Sequence, residues 1–167
     1  REGYFENGIQ VPPLDPKTPA GNLNVLYPLA EAILDGSMKD GFTYPVAMYD
    51  HREGVSVAAG FAYRGKIPQL RGKFVFGDLS RGRVFAADID ALRKADDGIP
   101  RTVAPIEEIQ LFVRDASGAE KDVTLKELAE QAMGRSLARA DLHLSIAGDG
   151  ELLLTTRQDG MIRMLVP

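Results

Sequence analysis

The chain has 167 residues, 44% of them hydrophobic and 26% charged, with a net charge of −4. That length can bury one real core, and an acidic balance argues against a polyanionic partner such as nucleic acid. There is no cysteine, which excludes a disulfide, a zinc ribbon, a thiol nucleophile and a covalently attached c-type haem in this segment. The apolar runs are too short for a membrane span.

The chain opens Arg-Glu-Gly-Tyr-Phe without an initiator Met. A start inside a strand-like segment creates the expectation that residues precede it. Residues 1–45 are rich in Pro and Gly and read as loop, with a short helix over Leu29–Leu34 ended by Gly36. Strand patterns follow at Pro45–Tyr49, Val55–Tyr63, Lys73–Gly77, Arg83–Asp88 and Glu107–Val113, with one helical turn at Ala91–Ala95.

Asp115–Arg139 breaks the β pattern. Thr124-Leu-Lys-Glu127 spells a capping box, in which a hydroxyl and a carboxylate satisfy the orphan amides of a helix start. Leu125, Leu128, Ala129 and Ala132 share one helix face, and Gly134 supplies a stop. Strands resume at Leu142–Ile146, Glu151–Thr155 and Met161–Val166.

The strands hide a repeat. Residues from Gly72 through Phe76 and on to Gly82 align without a gap on those from Gly150 through Leu154 to Gly160. Each copy is a glycine, an apolar run, a polar turn ending in glycine and a second apolar run. Each predicts a β-hairpin whose turn needs a residue tolerating positive φ. Repeated all-β units imply an all-β fold built of propeller blades. The expected division is a lead-in at 1–45, a blade at 46–113, a helical insertion at 114–140 and an incomplete last blade at 141–167. The last unit lacks a fourth strand, which would have to come from further sequence or from residues 1–10.

Three segments carry a family resemblance. Pro45-Val-Ala-Met-Tyr-Asp-His-Arg-Glu-Gly54, with Val55–Gly65 after it, resembles the glucose/sorbosone dehydrogenase family. So do Ile67–Asp78 and the ending Gly150-Glu-Leu-Leu-Leu with Asp159-Gly-Met-Ile-Arg163, and the opening Arg1-Glu-Gly3 looks like a further family element. The resemblance implies a six-bladed propeller of which this chain is roughly the C-terminal third. It implies a sugar (aldose or sorbosone) dehydrogenase that uses PQQ as hydride acceptor with calcium polarising the quinone. A periplasmic or extracellular location, a sugar substrate and a cytochrome c acceptor go with it. Departures are His143 where relatives often have Arg, and Ala58 and Ala59 where glycines are usual.

The resemblance also names site residues. The loop Leu79-Ser80-Arg81 approaches the cofactor in such enzymes, and the Tyr49–His51 segment supplies aromatic contacts. Arginines before the last blade reach it too, and the nearest here are Arg135 and Arg139. No metal ligand falls in this chain, because the general base and the calcium loop belong to earlier blades. Propeller geometry places Asp78–Gly82, Thr156–Gly160, Tyr49–Gly54 and Arg135–His143 around one mouth. Arg52, Arg81, Arg135, Arg139 and Arg157 then make that mouth basic, which suits a quinone with three carboxylates. The competing reading is surface arginines on polar turns. His51 is a candidate proton carrier beside Asp50, against a structural turn histidine bonded to backbone.

Other chemistry lacks its motif. There is no phosphate loop, no His-Glu-x-x-His and no nucleophile elbow. Asp115-Ala-Ser-Gly-Ala-Glu120 has Glu where a calcium loop needs glycine. The alternative function is a non-catalytic propeller module for binding or scaffolding in a larger secreted protein. Two bare blades would leave open faces and edges, so the expected partner is the remainder of the propeller or a second copy.

Overall fold

A computed structural model describes residues 35–37, 41, 43–49 and 53–167. His51, with Asp50 and Arg52, lies outside the described residues, as do the Leu29–Leu34 helix and the Arg1–Gly3 element. The described chain is mostly antiparallel sheet with two short helices. A first sheet contains β1 (Val57–Ala62), β2 (Lys73–Asp78), β3 (Val84–Asp88) and β4 (Glu107–Glu108), in that order across the sheet. β5 (Leu111–Arg114) and β6 (Glu120–Val123) make a separate hairpin. The last sheet contains β7 (Leu142–Ile146), β8 (Leu152–Thr156) and β9 (Met161–Met164).

The helices form where the sequence supplies caps. α1 (Ile89–Ala95) starts at Asp88, whose carboxylate accepts from the Ala91 N–H at 2.9 Å. α2 (Leu125–Met133) has the full capping box and ends at Gly134 in the left-handed conformation. Leu125 and Ala129 face inward from it and are buried.

Two sequence expectations are corrected. Pro45–Tyr49 forms bends rather than a strand. Glu107–Val113 is not one strand either: it splits, with β4 pairing to β3 and β5 turning away to pair with β6. The physical cause is the turn at 115–119. Asp115 accepts from Ser117 N at 2.8 Å and Ala119 N at 3.1 Å, and Gly118 takes φ +85°. The carboxylate that faintly resembled a calcium ligand therefore closes a hairpin.

The sequence repeat is a structural one. Gly82 N donates to Asp78 O at 2.9 Å, and Gly160 N donates to Thr156 O at 3.0 Å. Leu79 N donates to Ser56 O at 2.8 Å, and Arg157 N donates to Asp141 O at 3.1 Å. β1–β3 and β7–β9 are thus the same three-stranded unit, and among the described residues only the first has a fourth strand.

These units stack head to tail. Val75, Val84 and Ala86 on one face of the first sheet share a core with Leu142, Leu144, Leu152 and Leu154 of the last. In the repeat, Leu152 and Leu154 are equivalent to Phe74 and Phe76, which lie on the opposite face of the first sheet with Phe85 and Ala87. Gly77 permits the close approach: a Cβ there would sit 2.7 Å from Leu142 Cδ2. The far face of the first sheet is covered by Tyr49, Leu92 and Ile106.

Candidate functional site

The stacking brings the β2–β3 turn, the β8–β9 turn and the loops entering β1 and β7 to one end of the molecule. Backbone bonds fix the meeting point. Ala140 N donates to Ser80 O at 2.8 Å and Leu142 N to Leu79 O at 3.0 Å. The main chain of Leu79 and Ser80 thereby joins the two sheets, and both side chains are half-buried.

Asp78 organises the first half of this rim. Its side chain is fully buried. One oxygen accepts from Val55 N at 2.6 Å, Ser56 N at 2.8 Å and the Tyr49 hydroxyl at 3.2 Å. The other accepts from Arg81 N at 2.5 Å. Each of these bonds replaces hydration that the buried carboxyl group has lost. Tyr49 is raised well above the ordinary phenol range, first by burial and then by the Asp78 charge. Its ring stacks on Phe85 with centroids 5.1 Å apart.

Arg83 locks the loop before β1. It grips Glu108 with two bonds, at 2.8 and 2.5 Å, and donates to the Glu53 carbonyl. Its guanidinium carbon lies 4.8 Å from the Phe85 ring centre. The pair lowers Glu108, chiefly through the Arg83 hydrogen bond. Arg81 is exposed and also donates to Glu53 O, at 3.3 Å.

The last sheet builds its half differently. Thr156 stands where Asp78 does, and the carboxylate moves to Asp159. Asp159 bonds Thr156 Oγ1 at 2.5 Å, Arg163 Nη2 at 2.5 Å and Met161 N at 3.0 Å. Burial alone would push its acid strength down, but these donors win and hold the pKa at about 2. Asp141, at φ +54°, pairs with Arg139 Nε at 2.6 Å and accepts from Gln158 Nε2 at 2.6 Å. A non-glycine residue in that region is tolerated best when it is Asp or Asn.

The structure therefore brings Tyr49, Leu79, Ser80, Arg81, Arg139 and Arg157 to one rim. Arg135 stands at the exit of α2, with its N–H on Glu130 O at 3.3 Å and its side chain exposed. His143 projects from the exposed face of β7. Asp78 and Arg83 were not anticipated as organisers. The available signal was Asp78 at the head of a Gly-capped turn, a position from which a carboxylate reaches the amide three residues on.

A cavity of about 230 Å³ lies elsewhere, between β3–β4, the β5–β6 hairpin and the start of α2. Gly82 and Arg83, at the end of the β2–β3 turn, line its near side, while Tyr49, Leu79, Ser80, Arg81, Arg139 and Arg157 do not line it. Two of its three acids, Glu108 and Glu127, are committed to Arg83 and Thr124. Among the described residues no group of three or more His, Asp or Glu is arranged to hold a metal ion. No described helix is long and apolar enough to cross a membrane.

The chain matches no family model and no solved structure.

Proposed function

We propose that the chain is the C-terminal part of a six-bladed propeller resembling the PQQ-dependent sugar dehydrogenases, acting at the cofactor mouth. The observation that carries this reading is the head-to-tail stack of two equivalent sheets, with the turns named by the resemblance gathered at one end. The rim's donor set suits the group, since PQQ bears three carboxylates and guanidinium binds carboxylate in a fork. Arg81, which also bonds Glu53 O, and Arg157 would hold it, with Arg135 at the exit of α2 as a further candidate; Arg139 is paired to Asp141. When bound, PQQ supplies the acceptor for a hydride from the sugar's anomeric carbon.

This chain's own part is binding and orientation. Asp78 fixes the turn that presents Arg81, and the Leu79–Ser80 main chain keeps both halves of the rim in register. Calcium is assigned no ligand among the described residues. The sugar, a cytochrome c acceptor and a periplasmic or extracellular location belong to the same proposal.

A second reading, a non-catalytic propeller module, is favoured by Tyr49 and Arg139, whose polar groups bond Asp78 and Asp141 within the fold. Calorimetric titration of PQQ into the chain and into its whole gene product separates the two. Saturable binding that weakens in Arg81→Ala supports the dehydrogenase reading. No heat in either sample rejects it for the binding module.

A further inference from the structure

We propose that Glu130 is a positioning residue for the rim: it holds the segment carrying Arg135 and Arg139 against α2, so that this segment stays beside the Arg81 turn. This rests on the reading above, in which the rim binds a carboxylate-bearing quinone.

α2 begins behind one arginine-bearing turn and leads into the other. A Cβ at Gly82, beside Arg81, would lie 3.2 Å from the Cβ of Leu125, the first residue of α2. The same Cβ would lie 2.8 Å from that of Ala140. The chain therefore runs out along the nine residues of the helix and comes back to its start by Ala140. Nine helical residues span about 13 Å. The returning segment, from Gly134 to Ala140, can reach about 23 Å when extended. Chain length thus leaves slack, and the course of Arg135 and Arg139 has to be set by bonds.

Glu130 supplies those bonds. Its backbone carbonyl accepts from Gly134 N and from Arg135 N, the latter at 3.3 Å. Its carboxylate reaches past the helix end and accepts from Leu137 N at 2.9 Å and Ser136 Oγ at 3.2 Å. Lys126 Nζ, one turn earlier on α2, lies 3.5 Å from the same oxygen. The Leu137 bond, the largest cause, holds the carboxyl below the ordinary range, so it is ionised at neutral pH. The left-handed Gly134 already ends the helix. The carboxylate is therefore not needed as a stop, and its bonds act on the segment beyond. Leu137 and Ala140, both buried, and the bond from Ala140 N to Ser80 O carry that hold to the Arg81 turn.

Glu130→Gln and Glu130→Ala separate position from charge. Both remove the same charge, and the Gln oxygen still accepts from Leu137 N and Ser136 Oγ. Alanine is the better helix former, so a loss in Glu130→Ala does not come from helix propensity. Both are made in the whole gene product. Hydrogen exchange across residues 134–140, read by peptide mass spectrometry, should quicken about 10-fold in Glu130→Ala and stay near wild type in Glu130→Gln. Exchange in α1 is the control. Calorimetric titration should show PQQ held about 10-fold more weakly by Glu130→Ala than by Glu130→Gln. Exchange that is alike in the two variants overturns the proposal. So does quicker exchange with equal PQQ affinities, since the course of the segment would then not matter to the anion; PQQ still binds in that case, and the dehydrogenase reading stands. No heat of binding in the wild type rejects that reading and this role of Glu130 with it. If Glu130→Ala does not fold, Glu130→Asp replaces it. It keeps the charge and draws the oxygen away from Leu137 N, so PQQ should bind more weakly than to wild type, and wild-type affinity there would overturn the proposal.

Discussion

The Tyr63 hydroxyl, from the loop after β1, donates to the buried Glu151 carboxylate at the start of β8, 88 residues away. The other Glu151 oxygen accepts from Lys66 N at 2.7 Å, and Ile67 N donates to the Tyr63 oxygen at 2.9 Å. Both side chains are buried. This clasp closes the stack at the end opposite the arginine rim. It also gives a reason for Gly65, whose Cβ would lie within 2.6 Å of the Glu151 carboxyl carbon.

Tyr63→Phe should cost about 1–3 kcal/mol, because it leaves a buried carboxylate and the Ile67 N–H short of partners. Urea denaturation of Tyr63→Phe, Glu151→Gln and the double variant gives the coupling. Additive losses would mean that the two groups do not act together.

Asp78 should matter more than any residue it binds. Asp78→Ala strands two backbone N–H groups of the β1 entry loop and one in the Arg81 turn, at a cost of about 3–5 kcal/mol. Tyr49→Phe removes one long bond and keeps the stacking on Phe85, and should cost about 0.5–1.5 kcal/mol. The two values from denaturant titration should therefore differ by more than their errors. Equal losses would show that the phenol, and not the carboxylate, organises the rim.

The sequence made the repeat legible because Gly82 and Gly160 mark the same turn, and the turn bonds then follow from local geometry. The α2 capping box was legible for the same local reason. The β5–β6 hairpin was not, since Glu120-Lys-Asp has no apolar alternation to signal a strand. Nor were the buried acids legible. Asp78 and Glu151 resemble solvated carboxylates until partners 22 to 88 residues distant come into place. The segments that carry Arg81 and Arg139 lie side by side because Ala140 N bonds Ser80 O. That Arg139 pairs with Asp141 depends on the left-handed turn at Asp141, which no neighbouring residue announces.

Asp159 makes stability acid-sensitive. Its folded pKa of about 2 lies below its ordinary 3.8. A depressed acid stabilises the fold above its unfolded pKa, and that contribution is lost as pH falls toward the folded value. The chain should therefore lose stability between about pH 4 and pH 2. Arg163→Met should flatten this part of the profile, read as melting temperature against pH. An unchanged slope would remove Asp159 from the account.

Gly77 sets the sheet separation. Gly77→Val places a branched side chain where even a Cβ would come within 2.7 Å of Leu142 and 3.2 Å of Leu144. Overpacking of this kind costs about 1–3 kcal/mol. The loss should be partly recovered by Leu142→Ala, which opens space on the facing strand. If the second change only adds to the loss, the two sheets are not in contact at that point.

The rim arginines should divide by partner. Arg163 is half-buried and bonds both Thr156 and Asp159, so Arg163→Ala should lower stability. Arg157 is exposed, and among the described residues the fold uses its backbone N–H, on Asp141 O. Arg157→Ala should leave the melting temperature within a degree or two, because exposed substitutions away from such bonds cost little. If the rim binds a carboxylate-bearing quinone, the same change should weaken PQQ about 10-fold, the worth of one charge-assisted contact. Calorimetry on Arg157→Ala and on the exposed control Arg93→Ala, whose side chain pairs with Asp90 on α1, decides it. A loss confined to Arg157 places the anion at the rim. Equal losses would reduce the effect to overall charge, and the arginines would then be surface residues on polar turns.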